Sequence, residues 1–131
     1  MKISSLIQQL EQKQIKKDLP EIKVGDTIQI DVLIRESIKK DTKTATKQNE
    51  KVETKERIQP YEGLVISHQN GSIHKTIIVR KIFQGIGVER VFLIHSPCIK
   101  TIRIKKHAKV RKSKLYFLRK VLGKKAKLES I

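Results

Sequence analysis

Tryptophan is absent from this chain of 131 residues, and rings are scarce, with three Phe and two Tyr. A core must therefore be filled mainly by Ile, Val and Leu. Cysteine is almost missing as well. Cys98 stands alone, which excludes an internal disulfide framework and a cysteine-rich zinc site. A lone thiol fits a reducing compartment. No apolar run approaches the roughly 18 residues of a membrane span. The first ten residues are too polar for a signal peptide and lack the arginine of a transit peptide, so the expectation is a protein made where it works.

Catalytic groupings are missing too. His95 and Cys98 are spaced like two metal ligands, but a structural zinc site takes four. His68, His74 and His107 are scattered, without a nucleophile or an orienting partner. Gly85-x-Gly87 lacks the strand–glycine–helix setting of a nucleotide loop and reads as turn chemistry. Paired acids are not found. The expectation is no enzyme, no metal and no cofactor.

Acidic residues disappear locally. Positions 100–128 contain no Asp or Glu but hold thirteen of the chain's 30 Lys and Arg. The whole chain carries a formal charge of +17. Self-repulsion of that size calls for a polyanionic partner, either nucleic acid or an anionic membrane surface.

What is present is a β pattern over 58–104. Three apolar, β-branched runs, 61–66, 76–83 and 88–94, are separated by Asn70-Gly71 and by Gln84-Gly85-Ile86-Gly87. Asn-Gly between apolar runs is the strongest short hairpin signal. Upstream, 24–27 reads as a turn, and Ile28, Ile30, Val32 and Ile34 alternate with polar residues, as in a strand with one wet face. In 88–94 both faces are largely apolar. That run is expected to be a central strand or one curling within a closed barrel, with Glu89 and Arg90 near the rim. In the last strand Ile102 and Ile104 point inward, and Thr101, Arg103 and Lys105 form an outward row expected to meet phosphate. Phe83, Phe92 and Phe117 read as core, with Tyr61 and Tyr116 left open. Base stacking is therefore not favoured, and shape and phosphate recognition of folded RNA is.

Segments flank this unit. Ile3, Leu6, Ile7 and Leu10 make one apolar stripe on a helix, capped by Ser4 or Ser5 and ended before Pro20. The stripe is expected to dock on its own domain, with a partner-binding helix as the alternative. The stretch 36–57 is polar and of mixed charge, and reads as a long mobile loop. Leu115, Leu118 and Leu122 recur at helical spacing before Gly123, which predicts a short basic helix with one anchoring apolar edge. The division is thus 1–20 for the N-terminal helix, 21–106 for the barrel with its polar loop at 36–57, and 107–131 for the basic C-terminal extension.

Several blocks now converge. Gly25-Asp26-Thr27, Gln59-Pro60-Tyr61-Glu62-Gly63-Leu64-Val65-Ile66, Thr76-Ile77-Ile78-Val79-Arg80-Lys81, Gly87-Val88-Glu89-Arg90-Val91-Phe92, His95-Ser96-Pro97 and Lys112-Ser113-Lys114-Leu115-Tyr116-Phe117-Leu118-Arg119 closely resemble the bacterial-type large-subunit ribosomal protein L-nineteen family. The resemblance covers almost all of the chain outside 36–56. It implies a mainly β fold, a small SH3-like barrel of the translation-protein type with helical extensions. It also implies a structural constituent of the ribosome that binds large-subunit RNA at the interface between subunits, near the aminoacyl-tRNA site. The implied partners are large-subunit ribosomal RNA, small-subunit ribosomal RNA across the interface, and the third and fourteenth large-subunit proteins. No membrane partner is implied.

By position, Arg80, Lys81, Arg90, Arg111, Lys112 and Lys114 match family basic positions. Charge and placement add Lys100, Arg103, Lys105, Lys106, His107, Lys109, Arg119, Lys120, Lys124 and Lys125 as RNA-binding candidates. The 36–56 segment is longer than the family's usual loop. The Ile- and Lys-rich, alanine-poor composition is that of AT-rich genomes, which suggests a plastid-encoded copy in the stroma, with a low-GC bacterial cytoplasm as the alternative. Competing functions are a free regulatory nucleic-acid-binding barrel and a peripheral membrane protein.

Overall fold

A computed structural model describes residues 2–38 and 53–121. Helix α1 spans Ile3–Gln14, and five strands follow: β1 Thr27–Ile38, β2 Glu53–Gln69, β3 Thr76–Phe83, β4 Ile86–Leu93 and β5 Ile99–Lys106. They form one antiparallel sheet in the order β4-β3-β2-β1-β5. One core gathers Ile28, Ile30 and Val32 from β1, Tyr61 and Val65 from β2, and Ile77 and Val79 from β3. Phe92, Ile94, Ile99 and Ile102 join it from the sheet's two edges. A sheet whose edges share one core must curl, which gives the small barrel-like, mainly β fold expected.

Period-2 burial runs along β1 as predicted, with Ile28 and Ile30 fully buried. The turns differ from expectation. Asn70-Gly71 does not make a two-residue hairpin; the connection runs to Lys75 and holds a 3-10 turn at Ser72–His74. The tight turn is Gln84-Gly85, where Phe83 pairs with Ile86. Both turn residues have positive φ, 50° and 79°. That is the backbone a two-residue hairpin needs, and only the second position carries glycine. Ile86 and Gly87 already belong to β4.

Strand β4 is not central. It is an edge, and Val91 and Leu93 on its outer side are 60% and 51% exposed. An apolar second face can mark solvent as well as burial, and the sequence pattern alone does not separate them. Phe83 and Phe117 are exposed too, so only Phe92 of the three phenylalanines is core.

The ladder between β1 and β2 runs further than the polar composition suggested. Residues 36–38 pair with 53–55, inside the stretch read as loop. Every residue there is exposed. The arm holds together by backbone hydrogen bonds and opposite charges across strands, Arg35 to Glu56 and Arg57 to Glu36, each at 3.1 Å. The remaining loop positions fall outside the described residues.

Helix α1 forms where predicted but does not dock its stripe. Ile3, Leu6, Ile7 and Leu10 are all exposed, Ile3 at 77%. Neither Ser4 nor Ser5 caps it through a side-chain acceptor; the N-cap is Lys2, and Ser5 Oγ donates to the Lys2 carbonyl. What ties this end down is the next segment. The Lys16 amide donates to His95 Nδ1 at 3.1 Å, and Lys16 Nζ donates to the carbonyls of Ser96 and Ile99. Burial holds the His95 imidazole below its usual pKa, with Lys75 and Lys16 adding to the effect.

Candidate nucleic-acid interface

The basic tail after β5 is fastened to the outer side of the sheet at four points. First, Asp26, 2% exposed, lies 3.0 Å through Oδ1 from His107 Nδ1, while its Oδ2 accepts the Lys23 amide at 2.9 Å. Second, Gly25 sits at φ +94°, where side chains are strained, and a Cβ there would lie 2.7 Å from Val110 Cγ1. The tail runs directly over this turn.

The third point is a bulge. Pairing between β2 and β3 skips Ile66, which leaves its carbonyl out of the ladder. The Leu115 amide donates to that carbonyl at 2.8 Å. Around it, Ile66, Leu115 and Leu118 are buried together, with Val24, Leu64, Ile78 and Val110 packed against them. Leu115 and Leu118 thus anchor the tail as the spacing suggested. The local structure is a single 3-10 turn, Tyr116–Arg119, rather than an α-helix. Leu122 and Gly123 lie outside the described residues.

Glu89 supplies the fourth point. Its Oε1 accepts from Arg80 Nη1 at 3.0 Å and from Arg119 Nε at 2.8 Å, and its Oε2 accepts from Arg119 Nη2 at 2.8 Å. The Arg119 hydrogen bonds, and then Arg80, hold the Glu89 carboxyl below its usual pKa against the opposing effect of burial. Arg119 is raised in turn by Glu89. Arg80 reaches Glu89 by lying across Gly87, where any Cβ would meet its guanidinium.

These contacts sort the candidate cations. Arg80 and Arg119 are committed to Glu89, and the Arg80 side chain is only 14% exposed. On β5, Arg103 and Lys105 do face outward, but acids on β1 and β2 face them. Arg103 lies 3.8 Å from Asp31, and Lys105 lies 2.7 Å from Glu62. Hydrogen bonds from Thr101 and then Gln29 hold Asp31 below the usual carboxylate pKa, with Arg103 and Lys100 adding to this. His107 is tied to Asp26. Lys81 rests over Tyr61 and Phe83, and Arg90 over Phe92.

A second group is left over. Lys106, Lys109, Arg111, Lys112, Lys114 and Lys120 are exposed and form no salt bridge among the described residues. Lys112 and Lys114 lie near the rings of Phe117 and Tyr116. Lys124 and Lys125 lie outside the described residues. The sequence reading named the cations but missed the acids that organise them, Asp26, Asp31, Glu62 and Glu89. One signal was available: Glu89 is the last acid before the basic run.

An arrangement of this kind offers anions an array of positive charge. Residues 5–131 match the family model for ribosomal protein L19. The chain is 48% identical over 122 residues to "Large ribosomal subunit protein bL19" of Prochlorococcus marinus (strain MIT 9312), covering 93% of this chain and 84% of that one. It is 47% identical over 129 residues to the protein of the same name in Picosynechococcus sp. (strain ATCC 27264 / PCC 7002 / PR-6), covering 98% and 94%. With that of Rippkaea orientalis (strain PCC 8801 / RF-1) the identity is 49% over 124 residues, covering 95% and 90%.

Proposed function

The chain belongs to the ribosomal protein L19 family, and from that premise we propose that its anchored basic tail binds large-subunit ribosomal RNA at the face between subunits. As a member it is a structural component of the large ribosomal subunit and not an enzyme. The finer reading is carried by one observation: five exposed cations, Lys109, Arg111, Lys112, Lys114 and Lys120, form no salt bridge among the described residues and sit on a stretch of chain that the sheet itself holds in place.

Fixed cations bind phosphate well because little ordering remains to be done on contact. Each phosphate neutralised also releases counterions. In this reading residues 1–20, 21–106 and 107–131 act as three units. The tail binds RNA, the barrel positions the tail, and the helix meets a neighbour. A position near the aminoacyl-tRNA site, contacts to small-subunit RNA, and the third and fourteenth large-subunit proteins as neighbours belong to the same proposal. A plastid copy is supported by the cyanobacterial relatives and the Ile- and Lys-rich composition.

Sucrose gradients of ribosomal particles test this. The chain is expected to sediment with large subunits through a high-salt wash, and tail variants to be released. A chain that stays at the top of the gradient at low salt would instead favour a free regulator.

A further inference from the structure

Arg119 is among the RNA-binding candidates, but its geometry suits another task better than gripping phosphate. Both Nε and Nη2 donate to Glu89, so the side-on edge of the guanidinium is occupied and only its end-on Nη1/Nη2 edge is left for a phosphate. What Arg119 keeps is its plane. Cζ lies 4.5 Å from the centroid of the Tyr116 ring, and Lys114 Nζ lies 5.8 Å from the same ring. Tyr116 is 38% exposed, and the Arg119 side chain is also open to solvent. Beneath them Leu115 and Leu118 are buried, so the turn that carries the pair is fixed.

We infer that Tyr116 and Arg119 form a preformed stacking platform for one unpaired nucleobase, set among the cations that hold the flanking phosphates. The inference rests on the RNA-binding reading above. It revises the expectation, drawn from the scarcity of rings, that base stacking plays no part. Guanidinium planes and aromatic faces are the surfaces on which splayed-out RNA bases stack. Here one carboxylate takes up the side-on edge of the guanidinium and holds it beside the ring. The platform is sequence-tolerant, because every base offers a π face. It selects for an unpaired nucleotide over a closed duplex.

Two measurements test the platform. The full chain is titrated with deproteinised large-subunit RNA over a range of salt. Tyr116→Leu is expected to bind roughly 5- to 100-fold more weakly, with the slope of log K against log salt unchanged, since stacking releases no counterions. Tyr116→Phe, which keeps the ring, is expected to bind like the parent. Both variants alter an exposed side chain, and matched thermal unfolding confirms the fold.

In parallel, intact ribosomal particles are irradiated at short wavelength and the crosslinked peptides sequenced. A nucleobase attached at Tyr116 supports the platform. Crosslinks from this chain elsewhere with none at Tyr116, or a Tyr116→Leu variant that binds as the parent does, overturn the platform and leave RNA binding standing. Failure of the parent chain to bind the RNA or to crosslink anywhere overturns the functional reading, and the platform with it.

Discussion

Strand β5 and the tail that follows it are both rich in Lys and Arg, yet the fold treats their charges differently. On β5 the outward Arg103 and Lys105 meet Asp31 on β1 and Glu62 on β2. In the tail, Lys109, Arg111, Lys112, Lys114 and Lys120 form no such pair among the described residues. Two of the four β5 cations are answered within the molecule, and in the proposed reading the unpaired tail cations are left for a partner. A basic run therefore has to be divided by register before it can be read as a binding surface.

Changing Lys106 and the five unpaired tail cations to Gln should break the contrast most completely. The slope of log K against log salt for RNA should fall by about five, and retention on salt-washed large subunits should be lost. Arg103→Gln with Lys105→Gln should lower the slope by less than about one. An equal fall for the two sets would mean that the paired row also serves RNA.

Removing the anchor should act almost as strongly by another route. Leu118→Ala empties a buried site and should weaken tail docking by about 2–4 kcal/mol. Limited proteolysis should then cut within 107–121 while the sheet stays protected. Glu89→Gln should be milder, reducing stability by about 1–2 kcal/mol, because it leaves the half-buried Arg80 with a weaker acceptor. Thermal unfolding of this variant beside the parent would measure that loss.

Acid should show the smallest and most diagnostic effect. Glu89 and Asp31 have folded pKa values below their ordinary ones, so the folded state binds fewer protons than the unfolded one. Their stabilisation is present above about pH 4.5 and declines as the pH falls below it. His68 and His95, both lowered chiefly by burial, give the same sign in a higher window, with stability starting to fall below about pH 6.5. Denaturant melts from pH 7.5 to pH 3 should show both declines. Asp31→Asn combined with Glu89→Gln should flatten only the lower one.

Much of this was legible in the chain and some of it could not be. Alternation at Ile28, Ile30 and Val32 gave β1 and its buried face, and Leu115 and Leu118 gave the anchor. The edge position of β4 was not readable, because its neighbours are set by long-range pairing that 88–94 does not encode locally. The exposed stripe of α1 looks the same in sequence as a docked one. The tight turn went to Gln84-Gly85 because the flanking strands there pair up to its very edge. The committed cations could not be separated from the free ones without the cross-strand partners that only the register supplies.

The skipped residue at Ile66 has a consequence for quality control. A pairing slip of one residue between β2 and β3 would turn the outer apolar set inward and withdraw the carbonyl that receives Leu115. The same error would spoil the barrel and unfasten the charged strand. A wrongly paired copy could then neither bury its core nor present its cations in order, so in the proposed reading correct folding becomes a condition for entering the particle.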